Sequence, residues 1–174
     1  MRALLALLLV AFGGAALAQP TESEVKAAFL FKFLSFVEWP PGALPPRAPL
    51  VIGVQGADEV AAALEEIVPA RQAQDRPVVL RRVRPGESTA GLHVLFVGRR
   101  EAPRLRELAR AAPGQPTLLV AEWEGALAEG AVVNFLVAQS RVRFEVALDA
   151  AERRALRVSP RMLAVAQAVQ RERP

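Results

Sequence analysis

The sequence predicts an α/β fold: one mixed β-sheet flanked by helices on both faces, with a C-terminal antiparallel hairpin. Three observations predict it. Short apolar runs bounded by glycine and proline, at 50–55, 77–83, 93–97 and 117–120, have the length of buried strands. Stretches with helical spacing lie between them, and strand–helix alternation builds layered domains with parallel strands. The rhythm then changes. Runs at 132–138 and 141–146 are separated only by Gln139-Ser140, which reads as a tight hairpin with weak turn chemistry and makes the sheet mixed.

The chain opens with Arg2, an apolar run over 4–12 and Ala16-Leu17-Ala18 before Gln19. A short positive start, a compact apolar segment and a small-x-small site predict a secretory signal peptide over 1–18, cut between Ala18 and Gln19. The run is too short to span a bilayer comfortably. No cysteine follows the cut, which excludes a lipoprotein anchor. The expectation is a periplasmic protein that is not integral to the membrane, with a single domain over 19–174.

The elements follow in order. Residues 22–39 read as one helix, apolar almost all round: Val25, Phe29, Phe33 and Phe36 form one stripe, and Leu30, Leu34 and Val37 a second beside it. Lys26, Lys32, Ser35 and Glu38 interrupt. Such a helix requires cover, because each large apolar side chain left in water forgoes about 1.5–3 kcal/mol. Two lysines within it oppose a membrane span, and Trp39-Pro40-Pro41 stops it. A proline-rich loop, 41–49, precedes the first strand. A helix over 58–68 carries Val60, Leu64 and Ile67/Val68 inward and acids in its first turn. Residues 69–76 read as loop. A helix over 101–112 has Pro103 in its first turn, Leu105, Leu108 and Ala112 inward, and Pro113-Gly114 as its close. In the hairpin, Val142, Phe144 and Val146 alternate with Arg141, Arg143 and Glu145. Asp149 with Glu152 resembles a cap and its partner. A last helix is expected from Ser159-Pro160 to about residue 170, burying Met162, Val165/Ala166 and Val169.

Composition narrows the function. The net charge is +4, mild for a nucleic-acid binder, and 20 of the 22 basic residues are arginine. The clusters at 81–84 and 99–110 read as solvated faces. The absence of cysteine leaves packing alone to hold the fold. His93 is the only histidine, too few for an ordinary zinc set, and reads as a strand-end residue with ordinary hydrogen bonds. No serine stands in a G-x-S-x-G elbow. Asp58/Glu59 and Glu65/Glu66 fall on the polar face of one helix. Gly53-Val-Gln-Gly56 lacks dinucleotide-loop spacing and meets acidic residues where a phosphate would sit. No catalytic, cofactor-binding or metal residue is nominated, and a non-enzymatic protein that binds, senses or inhibits is expected.

The run from Val25 to Pro40, VKAAFLFKFLSFVEWP, resembles the N-terminal signature of YfiR-like (HmsC-like) periplasmic proteins. The likeness continues through Val51-Ile52-Gly53-Val54, the run HVLFV from His93, Val133-Asn134-Phe135, RFEV from Arg143, Ala150-Ala151 and LRVSPRMLA from Leu156. The first block and the Arg-Phe-Glu block are its specific parts. Ala147 departs from the pattern, where relatives tend to have asparagine, and the missing cysteines set aside any redox switching. The resemblance implies a periplasmic repressor. It would bind the periplasmic sensor region of a membrane-bound diguanylate cyclase, or of a sensor kinase, and so control cyclic di-GMP and biofilm formation without a catalytic group. It is compatible with a homodimer.

Three readings therefore stand. A regulator of a membrane signalling enzyme would need an exposed apolar patch, for which Phe36, Trp39, the 41–49 loop and Trp123 are the candidates. Trp39 has a second reading as a core plug at the helix end. A periplasmic small-molecule binding or sensing module would need a pocket with convergent polar groups. An enzyme would need perturbed carboxylates or His93 in a cleft.

Overall fold

The computed structural model describes residues 19–110 and 115–171. The expected signal segment through Ala18, the inward Ala112 and the Pro113-Gly114 stop lie outside these residues. In chain order the elements are α1 (Glu22–Phe36), β1 (Val37–Glu38), β2 (Leu50–Gln55), α2 (Asp58–Ile67), β3 (Gln72–Ala73), β4 (Arg76–Arg82), β5 (Val94–Val97), a 3-10 helix (Arg99–Arg104), α3 (Leu105–Arg110), β6 (Leu118–Ala121), β7 (Val133–Ala138), β8 (Arg141–Ala147), α4 (Leu148–Arg153), β9 (Arg157–Val158), α5 (Pro160–Leu163) and β10 (Ala168–Gln170).

Eight strands form a mixed sheet in the order β10-β8-β7-β6-β5-β2-β4-β3. The five strands from β7 to β4 are parallel, β8 returns antiparallel to β7, and β3 is antiparallel to β4. The central strands are apolar without alternation because both faces are covered. Successive side chains divide between two cores. Val94, Phe96, Leu118 and Val120 join α1, α2, α4 and α5 on one face. Leu95, Val97, Leu119 and Ala121 join Leu105, Leu127 and the half-buried Leu108 on the other.

Helix α1 is the hub of the larger core. A capping box fixes its start: the Thr21 hydroxyl accepts the Glu24 N–H, and the Glu24 carboxylate accepts the Thr21 N–H. Leu30, Phe33 and Leu34 are wholly buried. Phe29 and Phe33 stack and tilt against Phe135 and Phe144, with ring centroids 5.1 to 6.0 Å apart.

Several expectations are corrected. Helix α1 ends at Phe36, short of Trp39. Val37 and Glu38 are extended and pair with Val158 and Arg157, and the Phe36 carbonyl accepts the Ser159 N–H at 2.9 Å. Residues 69–76 are not featureless loop. They hold a 3-10 turn and a β3–β4 hairpin whose turn, Gln74-Asp75, has φ of +52° and +56°. The helix expected over 101–112 opens as the 3-10 helix from Arg99. Pro103 has no N–H for an α-type bond, so the α ladder begins only at Leu105. Asp149 is not a cap: α4 starts directly at the end of β8, with Ala147 at its head and no side-chain cap. The last helix stops at Leu163. The chain then runs along the edge of β8, where Gln167 donates to the Phe144 carbonyl at 2.7 Å and β10 pairs with residues 145–147. Only Met162 of the expected stripe is fully buried; Ala166 is half-buried, while Val165 and Val169 are exposed. The hairpin turn at Gln139-Ser140 stands where it was expected, with φ of +52° and +57°.

Candidate functional site

Strand β2 has β4 on one side and β5 on the other, so the chain reverses its direction of travel across the sheet at β2/β5. Open α/β sheets leave a crevice outside the carboxyl ends of their strands at such a point. Here β2 leaves through Gln55-Gly56 and β5 through Val97-Gly98, and the Gly98 N–H bonds the Gln55 carbonyl at 2.8 Å. The two exits abut: a Cβ on Gly98 would stand 2.3 Å from the Gly56 carbonyl oxygen. Over them lies a cleft of about 630 Å³ between the first turns of α1 and α2, the start of the 3-10 helix and Glu122 at the end of β6. A second lobe of about 400 Å³ continues past Glu122 to Trp123, Asn134 and Glu145.

Lys26 and Glu122 divide the two lobes. Lys26 is buried, and its Nζ donates to Glu122 Oε2 at 2.6 Å and to Glu22 Oε1. Burial alone would lower its pKa; the hydrogen bonds to Glu122 and then Glu22 outweigh it and hold the ammonium above its ordinary value. The other Glu122 oxygen accepts the Arg99 N–H at 3.0 Å, and the Glu122 carbonyl accepts the Arg99 guanidinium at 3.1 Å. In the second lobe the Trp123 N–H donates to Asn134 Oδ1, whose Nδ2 donates to Glu145. The indole N–H of Trp123 reaches Glu129 at 3.3 Å. An amine held charged in this way is neither a base nor a nucleophile, both of which need a lowered pKa. The arrangement suits holding charged and polar groups in place.

The three apolar candidates do not come together. Trp123 is half-buried in the second lobe. Phe36 closes the other end of α1, and Trp39 lies just beyond it. Phe36 packs half-buried against the larger core, while Trp39 is 9% exposed and meets the His93 ring edge-on at 5.8 Å. The plug reading of Trp39 therefore describes its place, and the ring offers little area in this state. His93 is far from the cleft, and its Nδ1 accepts the Val51 N–H at 3.0 Å. Gly53 lies inside β2 and forms no loop. Asp58 and Glu65 both bond Arg82 and so tie α2 to β4. Arg82, like Arg99, is thus engaged rather than simply solvated.

Sequence reasoning missed the Lys26–Glu122 pair. The signal was there in part, as a lysine set among apolar neighbours on a helix that must be covered. Its partner, 96 residues on, had no local mark.

Among the described residues no helix is long and apolar enough to cross a membrane, and no group of three acidic, histidine or cysteine residues could hold a metal ion. The family model of YfiR/HmsC-like proteins matches residues 23–167, from the first turn of α1 to the residue before β10. No curated protein matches the chain.

Proposed function

The chain belongs to the YfiR/HmsC-like family, and from that premise we propose that it is an exported repressor of a membrane-bound diguanylate cyclase. It binds the cyclase's periplasmic sensor region and holds the cytoplasmic catalytic domain off, so that its release raises cyclic di-GMP and favours biofilm. The observation that carries this reading is the extent of the family match, which takes in both cores and, among the described residues, nine of the ten strands. Repression needs no chemistry, only preference: the repressor must bind the inactive state of the enzyme more tightly, by a few kcal/mol. Of the apolar candidates, Trp123 has a ring half-open to a partner, beside a cleft rich in charge, and we assign it to the contact.

A tagged copy expressed in the native host tests the reading. The expected result is capture of a membrane protein carrying a cyclase domain, together with a rise in cyclic di-GMP when the gene is deleted and a fall when it is restored. Unchanged cyclic di-GMP in the deletion strain would end the proposal.

The cleft favours a second reading, a polar solute sensed on behalf of the membrane partner. It lies at the reversal point of the sheet and brings Arg99, Arg100, Asp58 and Glu59 around one space. A solute that raises the melting temperature of native protein but not of a Glu122→Gln variant would support it.

A further inference from the structure

The end of the sheet remote from the cleft carries an arrangement that the proposed function leaves unused. His93 precedes β5 and is 8% exposed. Its Nδ1 accepts the Val51 N–H, so the proton of the neutral ring sits on the other nitrogen, and the ring also bonds the Ala43 backbone. The imidazole thereby ties the start of β2 to the proline-rich connection 40–49. Trp39, immediately before that connection, lies edge-on to the ring, and its indole N–H is buried without an acceptor. Arg76, at the start of β4, holds the same connection, donating to the carbonyls of Pro45 at 2.7 Å, Ala48 at 3.0 Å and Leu44 at 3.5 Å. Between two of these carbonyls Arg47 has φ +62°, a left-handed conformation disfavoured for a residue with a Cβ. The connection is thus held by the imidazole at Ala43 and by Arg76 at three carbonyls.

We infer that His93 is an acid-sensitive latch: neutral, it pins the connection 40–49 beside Trp39; protonated, it lets the connection go and uncovers the indole. A proton on Nδ1 turns the acceptor of the Val51 N–H into a second donor facing it, so that bond is lost and the ring must turn out of its place, taking with it the bond to the Ala43 backbone, which by itself favours the charged ring. It also sets a positive ring beside Arg76. The charged groups around the ring are few. β4 brings Arg76, the one charged group whose field acts on the ring; Arg47 on the connection and Glu38 on β1 are both exposed to solvent. Val51 of β2, Trp39, and Thr117 and Leu118 at the start of β6 bring none. Burial first, and Arg76 after it, push the imidazole below its ordinary 6.5 against the pull of the Ala43 backbone. The closed form is therefore favoured above pH 6.5, and that advantage is lost as the pH falls from 6.5 towards the closed-state value. The use of this latch as a stimulus for repressor release rests on the proposed function; the latch itself belongs to the isolated chain.

Its test needs no partner. His93 is the sole histidine, so its ring proton resonances follow protonation directly, and a Trp123→Phe variant leaves Trp39 as the only tryptophan. As the pH is lowered from neutral to about 5, the imidazole should titrate with a midpoint below 6.5. Trp39 emission should shift to the red at the same midpoint. The Val51 amide should lose hydrogen-exchange protection, with the far-UV circular dichroism unchanged. His93→Asn keeps an acceptor for the Val51 N–H but cannot titrate, and should show neither change. An imidazole that titrates while Trp39 and Val51 stay still overturns the latch, as does a red shift that persists in His93→Asn. A red shift accompanied by loss of the far-UV signal also overturns it, since that is global unfolding. Should Trp123→Phe fail to fold, Val51 exchange in the native protein decides alone. Capture of a cyclase at neutral pH is untouched by any of these results.

Discussion

Lys26 is the one charged side chain among the buried residues of α1. It stays there because Glu122 waits across the interface with its side chain only 16% exposed, while Glu22 on the open side is 54% exposed. Removing the cation strands a largely desolvated carboxylate, so Lys26→Met should cost about 2–4 kcal/mol in urea unfolding at neutral pH. Glu22→Gln should cost under about 1 kcal/mol, because its partner lies towards water. Lys26→Met combined with Glu122→Gln should cost less than the two changes summed, since each removes the other's penalty. The pair also sets a pH dependence. The folded state holds the Lys26 proton more tightly than the unfolded chain, whose ordinary value is 10.5. Its stabilisation is complete below that pH and fades as the pH rises through the higher folded value. Alkaline titration of stability should show this loss in the native protein and not in Lys26→Met.

Among the elements, the strand exits and the hairpin turn carry the sharpest expectations. Gly98→Ala would drive a methyl group into the Gly56 carbonyl, backbone against backbone, and should destabilise by about 3 kcal/mol or more. Gly53→Ala meets only the terminal carbons of Leu92 and Leu95, which can turn aside, and should cost about 1 kcal/mol. The contrast in thermal melts separates a backbone contact from a side-chain one. Gln139 and Ser140 occupy a turn that requires positive φ at both positions. Replacing them by Asn-Gly should raise stability by about 1 kcal/mol without moving the register, because those residues adopt the conformation at less cost.

Over the whole molecule, α1 joins the two ends of the chain order. Phe33 packs on Phe135 and Phe144 from the last hairpin, its helix lies along α2, and its N-terminal turns roof the cleft. Phe33→Ala should therefore cost about 3–5 kcal/mol and loosen the cleft along with the core. The readout is hydrogen exchange at the Arg99 amide, which Glu122 holds, alongside global unfolding. Loss of stability with that amide as protected as before would show that the helix and the cleft are not coupled.

The fold class, the central strands and the need to bury α1 were legible in the sequence, because each rests on a local period. Continuous apolar runs mean two covered faces, and a helix apolar over most of its circumference means cover on most sides. The tertiary structure alone decided the rest. It ended α1 at Phe36 by giving Val37 and Glu38 a strand partner some 120 residues away, and it drew 168–170 onto the open edge of β8 instead of into a helix. It set Glu122 opposite Lys26 and, of the two readings of Trp39, placed the ring as a plug in the wall beside His93. Helical and strand periods are properties of neighbouring residues, whereas sheet order, edge pairing and the partner of a buried charge depend on which distant segments the packed chain brings together.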